Sequence, residues 1–355
     1  MFRVLKKYCV TTPILTPSIF CMENNENNQL CNVSKIKSNF ILKRVFTNLQ
    51  TKKKLDICKY NKRIKGKVNI DIEDYIDRSR TIITFTVEND KYFIKQVPLF
   101  NIIISNDIYN QFIAIKKNIG EKYAKEYLKQ YTKDYNLYLN NKKIEFEVRP
   151  RILTIREKDK NCYMHFSHYP VIFCKYSICI GESKFRLKIN RNIHNLTALF
   201  ANCNRTINFQ VENSKDNLTN LNAMFYGCKK VQYFDLKNLN TTNVRSFSDM
   251  FCQNKNITYL NISNFNTGHA ITVRRMFGSC SSLKILHLNN LVITNNMDTD
   301  LIVSSCYELE YIIIDDDNTR RSFKGKIING RASKDTYGVD KDKIKLIKSI
   351  DDVEK

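Results

Sequence analysis

The chain has 355 residues, 43% hydrophobic and 26% charged, the composition of a folded protein long enough for two or three domains. Its nine glycines form neither a dinucleotide fingerprint nor a P-loop, and its twelve cysteines fall far below the density of a disulfide scaffold. No run of about 18 apolar residues is present to span a bilayer. The net charge of +23 invites a nucleic-acid or membrane-surface hypothesis, although a bias to Lys, Asn and Ile is also what A/T-rich codons produce. The charge is regional: residues 1–189 hold 36 Lys and Arg against 18 Asp and Glu, whereas residues 190–320 hold 12 against 11.

In chain order, residues 1–34 read as a tail and linker. Arg3, Lys6 and Lys7 precede an apolar stretch, Tyr8 to Met22, that Pro13 and Pro17 interrupt. Phe20 stands before Cys21 where a lipoprotein signal wants a small residue, so the segment is a poor signal peptide.

Residues 35–80 read as a small basic helical bundle. Ile41, Leu42, Val45, Phe46 and Leu49 fall at helical spacing, within a stretch (35–67) of 12 basic residues and one acid, Asp56. The segment ILKRVFTNLQTKKKLDICKYNKRI loosely resembles an F-box, without its Leu-Pro opening or closing Trp. That resemblance implies docking of the 41–49 helix on a Skp-type adaptor. No aromatic platform or base-reading motif accompanies the basic run, so nucleic-acid binding is kept as an alternative.

Residues 81–180 read as an α+β region that caps a C-terminal repeat array. Residues 81–104 suggest strands turning at Asn89-Asp90, and 144–189 suggest further strands (IEFEV, RILTI, KFRLKI). Between them, Ile108, Phe112, Ile115, Ile119, Tyr123, Tyr127 and Tyr131 predict a long amphipathic helix over 108–139, with Gly120 a point of interruption. Cys162, His165, His168, Cys174 and Cys179 are zinc-ligand types, but C-x2-H-x2-H-x5-C-x4-C matches no common finger. The expectation is therefore ordinary strand and loop residues, with no metal, no cofactor and no catalytic set.

Residues 181–320 carry the repeat. Met-Phe or its equivalent ends at Phe200, Phe225, Phe251, Phe277 and Val303, at spacings of 25, 26, 26 and 26. Three residues on come Cys203, Cys228, Asn254, Cys280 and Cys306. Then come apolar triplets: Val231, Phe234, Leu236; Ile257, Leu260, Ile262; Leu283, Leu286, Leu288; Leu309, Ile312, Ile314. Phe209 and Val211 form a degenerate first copy, and Asn238, Asn264 and Asn290 come two residues after their triplets. The triplet is a short strand with one face inward, and stacked copies share a core. The Cys column reads as packing, because Asn254 interrupts any disulfide ladder. The Asn column is expected to bond backbone groups at a corner. Segments such as NAMFYGCKKVQYFDLKNLNTTNV and RRMFGSCSSLKILHLNNL resemble BspA-like leucine-rich repeats, found in bacterial and protist surface proteins and mycoplasma lipoproteins. Ile302-Val303 in the last copy, and Val292 where earlier copies have Asn240 and Asn266, depart from the pattern.

The predicted fold is therefore α/β. A mixed helical and α+β N-terminal region leads into a leucine-rich-repeat solenoid of about five coils, with a parallel sheet on one face. Residues 321–355 read as a C-terminal cap and frayed tail. Outward strand positions define a contact face: Tyr233, Tyr259, Ile285 and Tyr311, then Gln210, Asp235, Asn261, His287 and Ile313. The resemblance implies non-catalytic protein recognition. The expected setting is intracellular, as a possible ligase adaptor; the alternatives are a secreted or surface adhesin and a basic nucleic-acid-associated protein.

Overall fold

The computed structural model describes residues 77, 80–89, 95–156, 166–178, 181–324 and 344–353. These belong to one compact unit, Asp77–Lys355. The tail, the helical reading of 35–76 and the adaptor-docking residues Ile41, Leu42, Val45, Phe46 and Leu49 lie outside the described residues.

The elements run β1 (Thr81–Asn89), β2 (Lys95–Ile103), α1 (Asn106–Asn118), α2 (Glu121–Lys129), β3 (Tyr135–Leu139), β4 (Lys142–Ile144), β5 (Glu147–Arg156), β6 (Phe166–Ile178), β7 (Gly181–Ile189) and β8 (Thr206–Asn213). The remaining elements are β9 (Tyr233–Asp235), β10 (Tyr259–Asn261), β11 (Ile285–His287), β12 (Tyr311–Ile313), α3 (Asp317–Phe323) and β13 (Lys345–Ile347). From 208 to 313 the chain makes about four turns of a parallel β-solenoid, preceded by mixed sheets and few helices.

Each coil presents one short strand. Phe209 registers with Phe234, Leu260 with Leu286, and Leu286 with Ile312. The triplet residues are buried in every copy, as period-two alternation requires. On the opposite wall the Met-Phe segments pack inward. Phe200, Phe225, Phe251 and Phe277 stack in sequence with centroids 5.8, 5.7 and 6.1 Å apart. Ile302 and Val303 fill the same places in the last copy and are equally buried.

Two strands close the N-terminal end, one on each wall. β1 lies antiparallel between β7 and β8, and Ile83, Phe85 and Val87 point into the core. β2 reaches the Met-Phe wall, where Asn101 N–H donates to Leu199 O at 2.6 Å and buried Asn101 Nδ2 donates to Ala198 O and Ala201 O. The expected turn at 89–90 therefore does not pair β1 with β2. β1 is a central strand with both edges used, and β2 pairs with β6 in a separate sheet, ordered β2-β6-β5.

The long helix over 108–139 is also corrected. Gly120 (φ +120) ends the first helix, and the second buries Ala124 and Leu128 while Tyr123 is exposed. The chain then changes period. Tyr135 and Leu137 alternate inward on β3, which pairs with β7. At the far end Phe323 of α3 enters the core, and Lys345–Ile347, expected as frayed tail, pair parallel with β12. Ile313, expected to face outward, is buried beside Ile347.

Candidate interaction face

Three ladders fix the coil that carries the face. The first runs along the Met-Phe wall. Alternate N–H groups donate to the next coil: Phe200 to Met224 O, Phe225 to Met250 O, Phe251 to Met276 O and Phe277 to Ile302 O, all at 2.8–2.9 Å. The alternation needs left-handed residues four apart. These are Ala198 and Asn202, Ala223 and Gly227, Asp249 and Gln253, Arg275 and Ser279, and Leu301 and Ser305, with φ between +52° and +65°.

The second ladder is the Cys column. Cys203 Sγ donates to Leu99 O at 3.3 Å, and Cys228, Cys280 and Cys306 donate to the carbonyls of Phe200, Phe251 and Phe277 at 3.0–3.1 Å. Asn254 Nδ2 makes the same bond to Phe225 O at 3.0 Å, which explains why Asn fits a Cys column. All these cysteines are buried as free thiols. Burial pushes Cys203 and Cys306 up to about 12, and Cys228 and Cys280 well above the usual thiol range.

The third ladder lies at the corners. Asn238, Asn264 and Asn290 donate to carbonyls of the preceding coil, at Val211 and Glu212, at Leu236 and Leu239, and at Ser263 respectively, as the sequence leads one to expect. Sequence reading missed their neighbours. Buried Thr241 exchanges bonds with the backbone of Asn266, and Thr267 with that of Val292. Lys215 takes the same place in the first coil and donates to the carbonyls of Asn190 and Arg191; burial lowers its ammonium to about 8. At the other corner Asn195, Asn220, Ser246, Thr272 and Asp298 form successive parallel bridges. Their 25- and 26-residue spacing was a readable signal, since every member is an Asx or hydroxyl turn former.

On this frame the outward strand positions fall in register within two strand blocks, β8–β9 and β10–β13. Tyr259, Ile285 and Tyr311 lie side by side, as do Asn261 and His287. Tyr233 and Asp235 stand on β9 beside Asn208 and Gln210. Tyr233 is 56% exposed; Asp235, Tyr259, Asn261, Ile285, His287 and Tyr311 are half-buried. Lys345 Nζ lies 5.5 Å from the Tyr311 ring centroid, and Gln210 Nε2 donates to Asp235 at 3.2 Å. The ring nitrogens of His287 make no hydrogen bond.

The Cys/His cluster does not assemble where it is described. Cys162, His165 and Cys179 lie outside the described residues. His168 is exposed, and buried Cys174 lies six residues later on the same strand, about 20 Å away at strand rise. Among the described residues no three His, Cys, Asp or Glu side chains gather as a metal site requires, and no helix is long and apolar enough to cross a membrane.

With this geometry in place, the comparisons fall on the repeat. Residues 194–312 match the family model described as "Mycoplasma protein of unknown function, DUF285". The family that this stretch resembles is a repeat family of the BspA-like, leucine-rich-repeat type, with coils of about 26 residues. No curated protein and no solved structure matches the chain.

Proposed function

We propose that the chain is a non-catalytic recognition protein that binds a protein partner through the outward face of its solenoid sheet. One observation carries the reading. Tyrosines 233, 259 and 311, with Ile285, form an outward column along the coil strands, flanked by Asp235, Asn261 and His287. Tyrosine offers large area, little rotamer entropy and a polar tip, the features that anchor protein interfaces. The mycoplasma family match and the surface-protein resemblance favour a surface setting over a ligase adaptor, whose evidence rests on residues 35–77.

The test compares the full chain with a Tyr233→Ala, Tyr259→Ala, Tyr311→Ala variant as baits for host and mycoplasma proteins. Loss of a defined protein from the variant, with its melting temperature within a few degrees of the parent, supports the reading. Identical captures from both baits contradict it. Binding to generic nucleic acid that collapses with added salt would point instead to the basic segment.

A further inference from the structure

The strand stack is not continuous. β8 pairs with β9, and β10, β11, β12 and β13 pair in turn, but β9 and β10 belong to different sheets. At the later junctions the backbone bonds recur. Lys284 and Ile285 donate to Thr258 O, Glu310 and Tyr311 donate to Lys284 O, and Ile262 and Leu288 donate to His287 O and Ile313 O. Among the described residues no backbone bond joins 232–236 to 258–262, although those segments occupy equivalent places. The rest of the junction is intact. Phe225 N–H donates to Met250 O at 2.9 Å on the opposite wall, Asn220 bridges Ser246, and Asn264 Nδ2 donates to Leu236 O at 3.0 Å.

The inward strand residue changes from aromatic to aliphatic at this point. Phe234 is the last aromatic inward strand residue; its ring stacks on Phe209 at 5.7 Å and meets Phe251 edge-on at 5.3 Å. The next inward residues are Leu260, Leu286 and Ile312. Close packing transmits that difference in side-chain volume to the backbone, so β9 and β10 stand out of step.

We propose that the β9–β10 junction is a built-in flexing point, opened by the Phe234 ring and hinged on the continuous Met-Phe wall. It divides the outward face between Tyr233 and Tyr259, so that two strand blocks can change their mutual angle while each keeps its ladder. The flexing point stands whether or not the face binds a partner. Hydrogen exchange read at single amides of the full chain tests it. The amides of Leu236, Thr258 and Tyr259 are expected to exchange at least about tenfold faster than their counterparts Ile262, Lys284 and Ile285. Phe234→Leu, which installs the residue of the next coil, is expected to slow them towards those counterparts. Equal protection of the two sets in the parent chain overturns the proposal, and unchanged exchange in the variant overturns the part assigned to the ring.

Discussion

At the residue scale, the Cys column shows how one position serves three purposes. The thiol is small enough for the core, apolar enough to be buried without large cost, and still donates to the Phe carbonyl of the preceding coil. Asn254 keeps the donor but leaves its Oδ1 buried without a partner. Asn254→Cys is therefore expected to stabilise the protein by about 1 kcal/mol, measured by denaturant unfolding. The raised thiols also set an alkaline limit. The folded chain holds protons that the unfolded chain releases near 9, so the stability from burial is complete below that pH and is lost as pH rises towards about 12. Melting temperature is expected to fall across that window. Below it the buried thiols should resist alkylation until the chain unfolds.

At the scale of elements, the coil depends on backbone conformations that most residues resist. Of the ten left-handed wall positions only Gly227 is glycine. Ser279→Gly is expected to add about 0.5–1 kcal/mol of stability, the left-handed penalty less the entropy of an extra glycine. Gly227→Ala should cost about 1–2 kcal/mol, because an added Cβ lies 2.5 Å from Asn202 Oδ1 as well as adopting an unfavourable φ. The corner threonines obey a different rule. Thr267→Val keeps shape but removes both bonds to the Val292 backbone, and about 1–3 kcal/mol is expected to be lost in equilibrium unfolding.

At the scale of the molecule, stability comes from stacking, so length should be adjustable in whole coils only. Deleting 259–284 joins Thr258 to Ile285 in register and is expected to leave a cooperatively folding protein; deleting half that segment is expected to abolish the transition seen by circular dichroism. The same logic explains what could be read in advance. A 26-residue period exposes itself in the sequence, and so did the triplets, the Asn corners and the outward tyrosines. Pairing choices did not. Nothing local tells Thr81–Asn89 to sit between β7 and β8, or sends Lys95–Ile103 to the other wall, because those choices are made by residues far away in the chain, Ile189 for Thr81 and Val171 for Ile103 among them. Tyr135 continued a helical spacing and became a strand, since Ile189 and Leu187 offered it and Leu137 an edge. Ile313 lost its outward place to a strand contributed by Lys345–Ile347, past the last copy of the repeat.

The central claim, that the sheet face meets a protein partner, is tested most directly by site-specific photocrosslinking. A photoreactive phenylalanine replaces Tyr259 on the face in one chain, and in another it replaces Tyr307, which is 60% exposed but lies outside the strands. A discrete protein adduct from position 259 and none from 307 is the predicted result. Adducts of equal yield from both positions, or from 307 alone, would contradict the account.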